Sequence, residues 1–334
     1  MELPPHAQVL QMMMGYWVSQ VLATVAELGI ADHLTGPART SDELADLVKT
    51  DKDATLRLLR AAAGVGLLEK SADQRYSLTP MGACLRGDSP TALRDFVVAE
   101  LSPGHWQPWG RLSDAIRTGK PQMEAAHGTD VWTYYAKHPV EAAWFARGMG
   151  NLSKIAAAEI APAYDFSSFG TICDVGGSQG ALLASVLRAA PKSRGILFDR
   201  PEVITEAAAQ VKSYALGDRL STQPGDFFET MPVADAYLLK SILHDWNDER
   251  SIAILKSVAK ACKPGSKVLL VEVLLGDTPM ASPINLMDLN MLVLLGGRER
   301  TAEQFGVLLK AAGFQPGSVT PTFGLFSVIE GVRT

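Results

Sequence analysis

From residue 171 onward, short apolar runs alternate with helical stretches, and few architectures accommodate that alternation. Thr171-Ile172-Cys173-Asp174-Val175 reads as a buried strand, followed by strands at 194–199, 236–240 and 267–273. Helical stretches at 181–190, 201–211 and 249–261 lie between them. Strands joined through helices run parallel, because a parallel crossover needs a long connection and a helix supplies it. The expected fold class is α/β, a doubly wound sheet with helices on both faces. Residues 317–322 and 326–332, separated by Gly324, have strand composition and are expected to close one sheet edge as an antiparallel pair.

Before residue 150 the pattern is mainly helical, which suggests two regions, 1–150 and 151–334. A Met-rich helix is expected over 9–30, closing at Gly29. Thr40 or Ser41 caps a helix over 42–48, a second helix covers 53–63, and residues 67–70 and 75–78 form a short hairpin. Helix, helix and two-stranded hairpin make a winged-helix arrangement, which invites a DNA-binding reading. Between residues 41 and 80, however, six basic residues face seven acids, a local net of −1. DNA affinity comes chiefly from neutralising phosphates, and no positive surplus exists here to do so. Dimerisation or covering a substrate fits better, because the first helix is too apolar to stay exposed.

The whole chain, 334 residues with a net charge of −5, gives no support for a nucleic-acid or anionic-membrane partner. Its three cysteines are far apart in sequence, so neither a disulfide framework nor a zinc cage is expected and a reducing cytoplasm fits best. The N-terminal stretch lacks a basic region followed by a continuous apolar core, and no uninterrupted apolar run reaches membrane-spanning length.

Gly176-Gly177-Ser178-Gln179-Gly180 follows the first strand and opens a helix. Ligands of such sheets sit beyond the carboxyl ends of the strands, and a helix N-terminus offers free N–H groups to an anion. Asp199 ends the next strand, where a carboxylate can accept from both hydroxyls of a ribose. A dinucleotide loop would read G-x-G-x-x-G, and Val175 stands where its first glycine belongs. That favours S-adenosylmethionine over a nicotinamide dinucleotide. Gly225-Asp226-Phe227-Phe228, after a third strand, adds an acid and an aromatic suited to an adenine, with loop capping by Asp226 as the lesser alternative.

The densest cluster, residues 238–249, contains His244-Asp245-Trp246 at the carboxyl end of a strand. Glu272 ends the next strand and Glu299 lies in Gly296-Gly297-Arg298-Glu299-Arg300-Thr301, so both glutamates can reach the same end of the sheet. A neutral imidazole can take a proton from a hydroxyl, and a carboxylate on its other nitrogen fixes the tautomer. A phenol, with a pKa of roughly 10, is about one part in a thousand ionised at neutral pH, a deficit of about 4 kcal/mol that such a base relieves. No acidic metal cage is evident, and no metal is expected.

These motifs, D-V-G-G-x-x-G, L-F-D-x-P, P-G-D-F-F, H-D-W and G-G-R-E-R-T, together with Trp144-Phe145-Ala146-Arg147-Gly148-Met149, closely resemble those of the caffeate-type small-molecule O-methyltransferases. The resemblance covers nearly the whole chain. It implies a Rossmann-like class I methyltransferase sheet, an N-terminal winged-helix dimerisation domain and a homodimer. It further implies methyl transfer from S-adenosylmethionine to a hydroxyl of a small aromatic molecule, with S-adenosylhomocysteine as product. Matching positions make His244 the base, oriented by Glu272 and Glu299, and give Asp174, Gly176, Gly177, Gly180, Asp199, Asp226, Phe227, Lys240 and Ser153 to the cofactor. Ser178 departs from the family, which usually has a third glycine there. Phe145, Met149, Trp246, Met287, Asn290 and Met291 are candidate acceptor contacts, each equally readable as a core side chain. Asn290 is the most informative, since a polar amide among apolar neighbours needs a partner. Two other functions fit the pattern less well: a sulfonium-binding enzyme turned to hydroxylation, decarboxylation or a pericyclic step, and a winged-helix regulator sensing a small ligand.

Overall fold

The computed structural model describes residues 3–89, 92–276 and 283–334. The chain divides into two compact units, Met1–Gln107 with Trp132–Leu152, and Pro108–Val131 with Ser153–Thr334. The chain passes between them three times, within the helices Pro103–Trp109, Val131–Lys137 and Pro139–Ala163.

In the N-terminal unit, the single helix expected over 9–30 is two helices, Pro5–Met13 and Gly15–Glu27. Pro5 sits at the first helical position, where its missing N–H costs nothing, and Gly15 weakens the helix just after the break at Met14. Gly29 lies past the end of the second helix with φ +64°, the left-handed conformation that stops a helix. Thr40 caps the helix Ser41–Val48 through a capping box, its hydroxyl accepting from the Glu43 N–H while Glu43 accepts from the Thr40 N–H. Asp51 caps Lys52–Gly64. Strands β1 (Leu68–Lys70) and β2 (Tyr76–Leu78) then pair antiparallel, with Glu69 opposite Ser77. Leu44, Leu59, Ala62, Leu67, Tyr76 and Val98 pack together as the core. Val9, Leu10, Met12, Met13, Tyr16, Trp17 and Val18 stay exposed. Taken together, Pro5–Glu27 is long and apolar enough to cross a membrane by length and composition, which the sequence reading did not anticipate.

The C-terminal unit is built on the expected sheet. Its strands are β3 (Thr171–Val175), β4 (Arg194–Asp199), β5 (Leu220–Pro224), β6 (Ala236–Lys240), β7 (Lys267–Val273), β8 (Phe314–Pro321) and β9 (Phe326–Arg333). The order is β5-β4-β3-β6-β7-β9-β8. The first five strands run parallel and β9 lies antiparallel between β7 and β8. Strand order reverses between β3 and β6, where doubly wound sheets open a ligand crevice. β5 is an edge strand with four exposed polar or small residues, so it has no apolar signature to betray its range. Two cores cover the sheet faces, one including Ile172, Leu183, Leu187, Leu197 and Leu238, the other Val175, Leu239, Ile254, Leu270 and Phe305.

Candidate active site

The Gly-rich turn leaves β3 and feeds the helix Ala181–Ala189. Gly176 has φ +66°, and a Cβ there would lie 2.6 Å from the Ile242 side chain, so glycine avoids both backbone strain and a displaced neighbour. Ser178, the departure from the family pattern, also adopts the left-handed region at φ +52°. Its N–H donates to Asp199 Oδ2 at 2.8 Å, which holds the residue in that conformation. Asp199 Oδ1 accepts from the Arg200 N–H at 2.8 Å, so each carboxylate oxygen carries one backbone donor and keeps lone-pair capacity for a hydroxyl. Burial raises the Asp199 pKa despite these bonds.

Asp174, at the carboxyl end of β3, is buried, and its Oδ2 has no hydrogen-bond partner among the described residues. Burial raises its pKa to about 7, with the Lys240 charge opposing the rise. Lys240, the last residue of β6, is pushed in the opposite direction, as burial lowers its pKa, and its ammonium lies 5.9 Å from the Phe326 ring centre. An orphaned carboxylate oxygen at the mouth of the crevice suits a ligand ammonium, and the glycine cradle suits close approach of a small polar chain.

Asp226 is exposed and one oxygen accepts from the Phe228 N–H at 2.8 Å, so it does cap its loop. The Phe227 and Phe228 rings meet Trp246 edge-on at 6.3 and 5.0 Å, and the Arg250 guanidinium covers Phe228 and Trp246 at 4.2 and 4.7 Å. Trp246 is thus brought to the G-D-F-F segment. Ser153 is half-buried on the helix Pro139–Ala163; among the described residues no hydrogen bond or ion pair joins it to the turn.

His244 sits in the one-turn 3₁₀ helix Leu243–Asp245 that follows β6. Its Nδ1 lies 2.9 Å from Glu299 Oε1, and its Nε2 lies 3.3 Å from Asp245 Oδ1. Glu299 is itself fixed, since its N–H donates to Asp288 Oδ1 at 2.8 Å. Glu272 behaves differently from Glu299. Its Oε1 accepts from the Leu243 N–H at 3.2 Å, so it anchors the backbone of the turn and acts on the ring only through its charge. Burial disfavours a charged imidazole. The Asp245 carboxylate, the hydrogen bond to Glu299 and the Glu272 charge outweigh that and raise the His244 pKa to about 9. Burial raises Glu272 to about 7 and Asp245 to about 6. Ligand atoms of His244, Glu272 and Glu299 lie within 4.8 Å of one another, close enough to hold a cation. The Nδ1 bond to Glu299, however, already engages one ring nitrogen.

The helix Pro283–Leu294 carries three acceptor candidates, with Asn290 and Met291 buried and Met287 exposed. Asn290 Oδ1 accepts from Trp109 Nε1 at 2.6 Å, and its amide nitrogen is 4.0 Å from Met287 Sδ. Phe145 and Met149 belong to the N-terminal unit, where Phe145 stacks on Tyr135 at 4.9 Å and meets His105 edge-on at 6.0 Å. Three contributors escaped the sequence reading. Asp245 stood beside the histidine and was read only as part of a motif. Asp288 and Trp109 gave no local signal; Trp109 is 181 residues away from the side chain it holds.

The sheet, the turn and the carboxylate-bound histidine define an α/β enzyme with a cofactor crevice at its strand ends. The chain belongs to the O-methyltransferase family: residues 109–315 match the O-methyltransferase domain and residues 10–88 the O-methyltransferase dimerisation domain. Among its relatives is the phenazine O-methyltransferase PhzM of Lysobacter antibioticus, 38% identical over 98% of this chain and 96% of the relative. The O-demethylpuromycin-O-methyltransferase of Streptomyces alboniger is 40% identical over 97% of this chain and 88% of the relative. The crystal structure of human N-acetylserotonin methyltransferase in complex with S-adenosylmethionine superposes with a TM-score of 0.91, at 29% identity over 99% of this chain and 98% of that one.

Proposed function

We propose that this protein transfers a methyl group from S-adenosylmethionine to a hydroxyl of a small aromatic molecule, with His244 as the general base. The family supports the reaction, and the observation that carries the base assignment is the 2.9 Å bond between His244 Nδ1 and buried Glu299. With Nδ1–H donated to Glu299, Nε2 is the nitrogen left to receive the acceptor proton, and Glu299 stabilises the imidazolium that forms. S-adenosylmethionine supplies an electrophilic sulfonium methyl group. As the acceptor oxygen attacks that carbon, its proton passes to Nε2 and the C–S bond breaks, releasing S-adenosylhomocysteine. General-base assistance is worth about 10²–10⁴-fold, and in-line positioning adds to it.

For the donor, Gly176, Gly177 and Gly180 form the cradle, Asp174 and Lys240 face its polar end, Asp199 accepts from the ribose, and Asp226 and Phe227 hold the adenine. Trp246 joins that adenine side, since its ring packs on Phe227 and Phe228. Ser153 is kept as a cofactor contact on the family resemblance alone. For the acceptor, Met287, Asn290 and Met291 are the contacts within the C-terminal unit, and Trp109 turns the Asn290 amide so that its N–H₂ can donate; Phe145 and Met149 are acceptor contacts on the family resemblance alone. The working protein is a homodimer formed through the dimerisation domain, whose exposed Met and Trp side chains supply its apolar face. Its three cysteines, far apart in sequence, fit a reducing cytoplasm.

Incubation with S-adenosylmethionine and a panel of phenols, read by mass spectrometry, should give acceptors heavier by one methyl group. His244→Gln should bind S-adenosylmethionine normally yet lose about 10²–10⁴-fold in turnover. Undiminished turnover in that variant would remove the base assignment. Activity should survive a chelator, because the assigned roles need no metal.

A further inference from the structure

G-G-R-E-R-T contains a second functional side chain beside Glu299. Arg300 is the largest fully buried side chain in the described chain, 1% exposed. A guanidinium has five N–H donors in a rigid plane, and here all five are engaged. Nε and Nη2 donate to Asp248 Oδ1 at 3.0 and 2.8 Å. Nη2 also donates to the Trp246 carbonyl at 2.8 Å, and Nη1 donates to the carbonyls of Leu243 at 2.9 Å and Arg298 at 3.3 Å. Leu243 and Trp246 bracket the turn that carries His244, so one rigid cation grips both ends of it.

The same short segment meets the turn at every level. The Arg298 N–H donates to the His244 carbonyl at 2.9 Å, and a Cβ on Gly297 would fall 2.0 Å from that oxygen. Glu299 takes the ring nitrogen. Asp248, the guanidinium's carboxylate partner, opens the helix Asp248–Ala261 that follows the turn. A full guanidinium is buried where an apolar side chain would fill space at less desolvation cost, and its bonds go to the backbone around His244.

We infer that Arg300 is a positioning residue for methyl transfer: it fixes the turn Leu243–Asp245 so that the His244 ring meets both Glu299 and the acceptor hydroxyl. The inference rests on the reading of His244 as base. A lysine at this position brings charge but only three donors around a point, and glutamine brings a short planar amide without charge. Both loosen the turn, and misplacing a reacting group by about 1 Å can cost about 10²-fold.

The test uses the full chain with the phenol methylated fastest in the panel. Arg300→Lys is expected to lower kcat about tenfold and Arg300→Gln about 10²-fold, with the Kd for S-adenosylmethionine changed little. Because a looser bond to Glu299 raises the ring's basicity less, the alkaline rise of kcat should move to lower pH in Arg300→Lys, which keeps the cation. In a His244→Gln background, Arg300→Lys should cost no more activity, since a positioner with nothing to position is silent. If Arg300 variants are insoluble, Asp248→Asn, which weakens the guanidinium's grip by removing the charge of its exposed partner, should shift the pH profile in the same direction by less. An unmoved pH profile, or an equal loss in the His244→Gln background, overturns the proposal. Full activity of His244→Gln itself would instead remove the base reading on which it rests.

Discussion

The two units break the usual rule of burial in opposite directions. In the N-terminal unit Val9, Leu10, Met12, Met13 and Trp17 are left in solvent, although two capped helices and a hairpin beside them bury a well-packed core. In the C-terminal unit Asp174, Glu272, Glu299 and Arg300 are taken out of solvent, although the same sheet is lined by Leu, Ile and Val. Exposed apolar surface costs solubility unless another surface covers it, and buried charge costs stability unless it is paired. The first departure marks a surface for a second protomer; in the second the chain pairs most of its own buried charge, and only Asp174 Oδ2 and Glu299 Oε2 are left without a hydrogen-bond partner among the described residues.

The strongest way to break this comparison is to make the exposed helices polar. Met13→Asp with Trp17→Asp should convert the dimer to monomer in a sedimentation experiment. Buried interface side chains of this size are each worth about 2 kcal/mol or more, and the changes occur on both protomers, so association should weaken by over ~10³-fold. A dimer that persisted unchanged would show that these side chains are not its interface.

The buried charges can be probed through pH. For the proposed base His244 the neutral imidazole is the competent form, and a pKa raised to about 9 leaves it scarce at pH 7. Turnover should therefore climb roughly tenfold per unit from pH 7 and level near pH 9. Asp245→Asn removes a carboxylate that raises this pKa, so the climb should shift to lower pH. A pH-independent rate in the native protein would contradict the charge assignment.

The smallest effect is expected at Ser178. A non-glycine residue in the left-handed region carries about 1 kcal/mol of strain, partly offset in Ser178→Gly by the greater freedom of the unfolded chain. The variant should gain about 0.5 kcal/mol and melt slightly higher, with activity retained. A clear fall in Tm would mean that the serine side chain contributes something the backbone geometry does not reveal.

Legibility in the sequence followed the range of the forces involved. Strands β3, β4, β6 and β7 could be delimited because each is a largely apolar run, and Thr40 stood with Ser41 as one of two cap candidates until its capping box with Glu43 decided between them. His244 with Glu299 was legible through motif content. Edge strand β5 was not delimited, because polar residues on an edge carry no period. The break at Met14 was hidden because Met, unlike Pro, does not announce a helix end. Glu272 was assigned to the ring and found on the backbone, a distinction of one hydrogen bond that composition cannot express. Trp109 and Asp288 act on Asn290 and Glu299 across the tertiary fold, so only three dimensions reveal them.

Strand β9 carries a consequence for how the molecule is made. It lies between β7 and β8 in the sheet but follows both in the chain. While residues 274–325 are being synthesised, the edge of β7 has no neighbour, and that edge belongs to a strand with five consecutive buried residues, Val268 to Glu272. Unpaired apolar edges recruit strands from other chains. The nascent protein thus passes through an interval of aggregation risk that ends only when Phe326–Arg333 slots in. During that interval Glu299 and Arg300 are also still to come, or not yet docked, so the turn that carries His244 is not yet held.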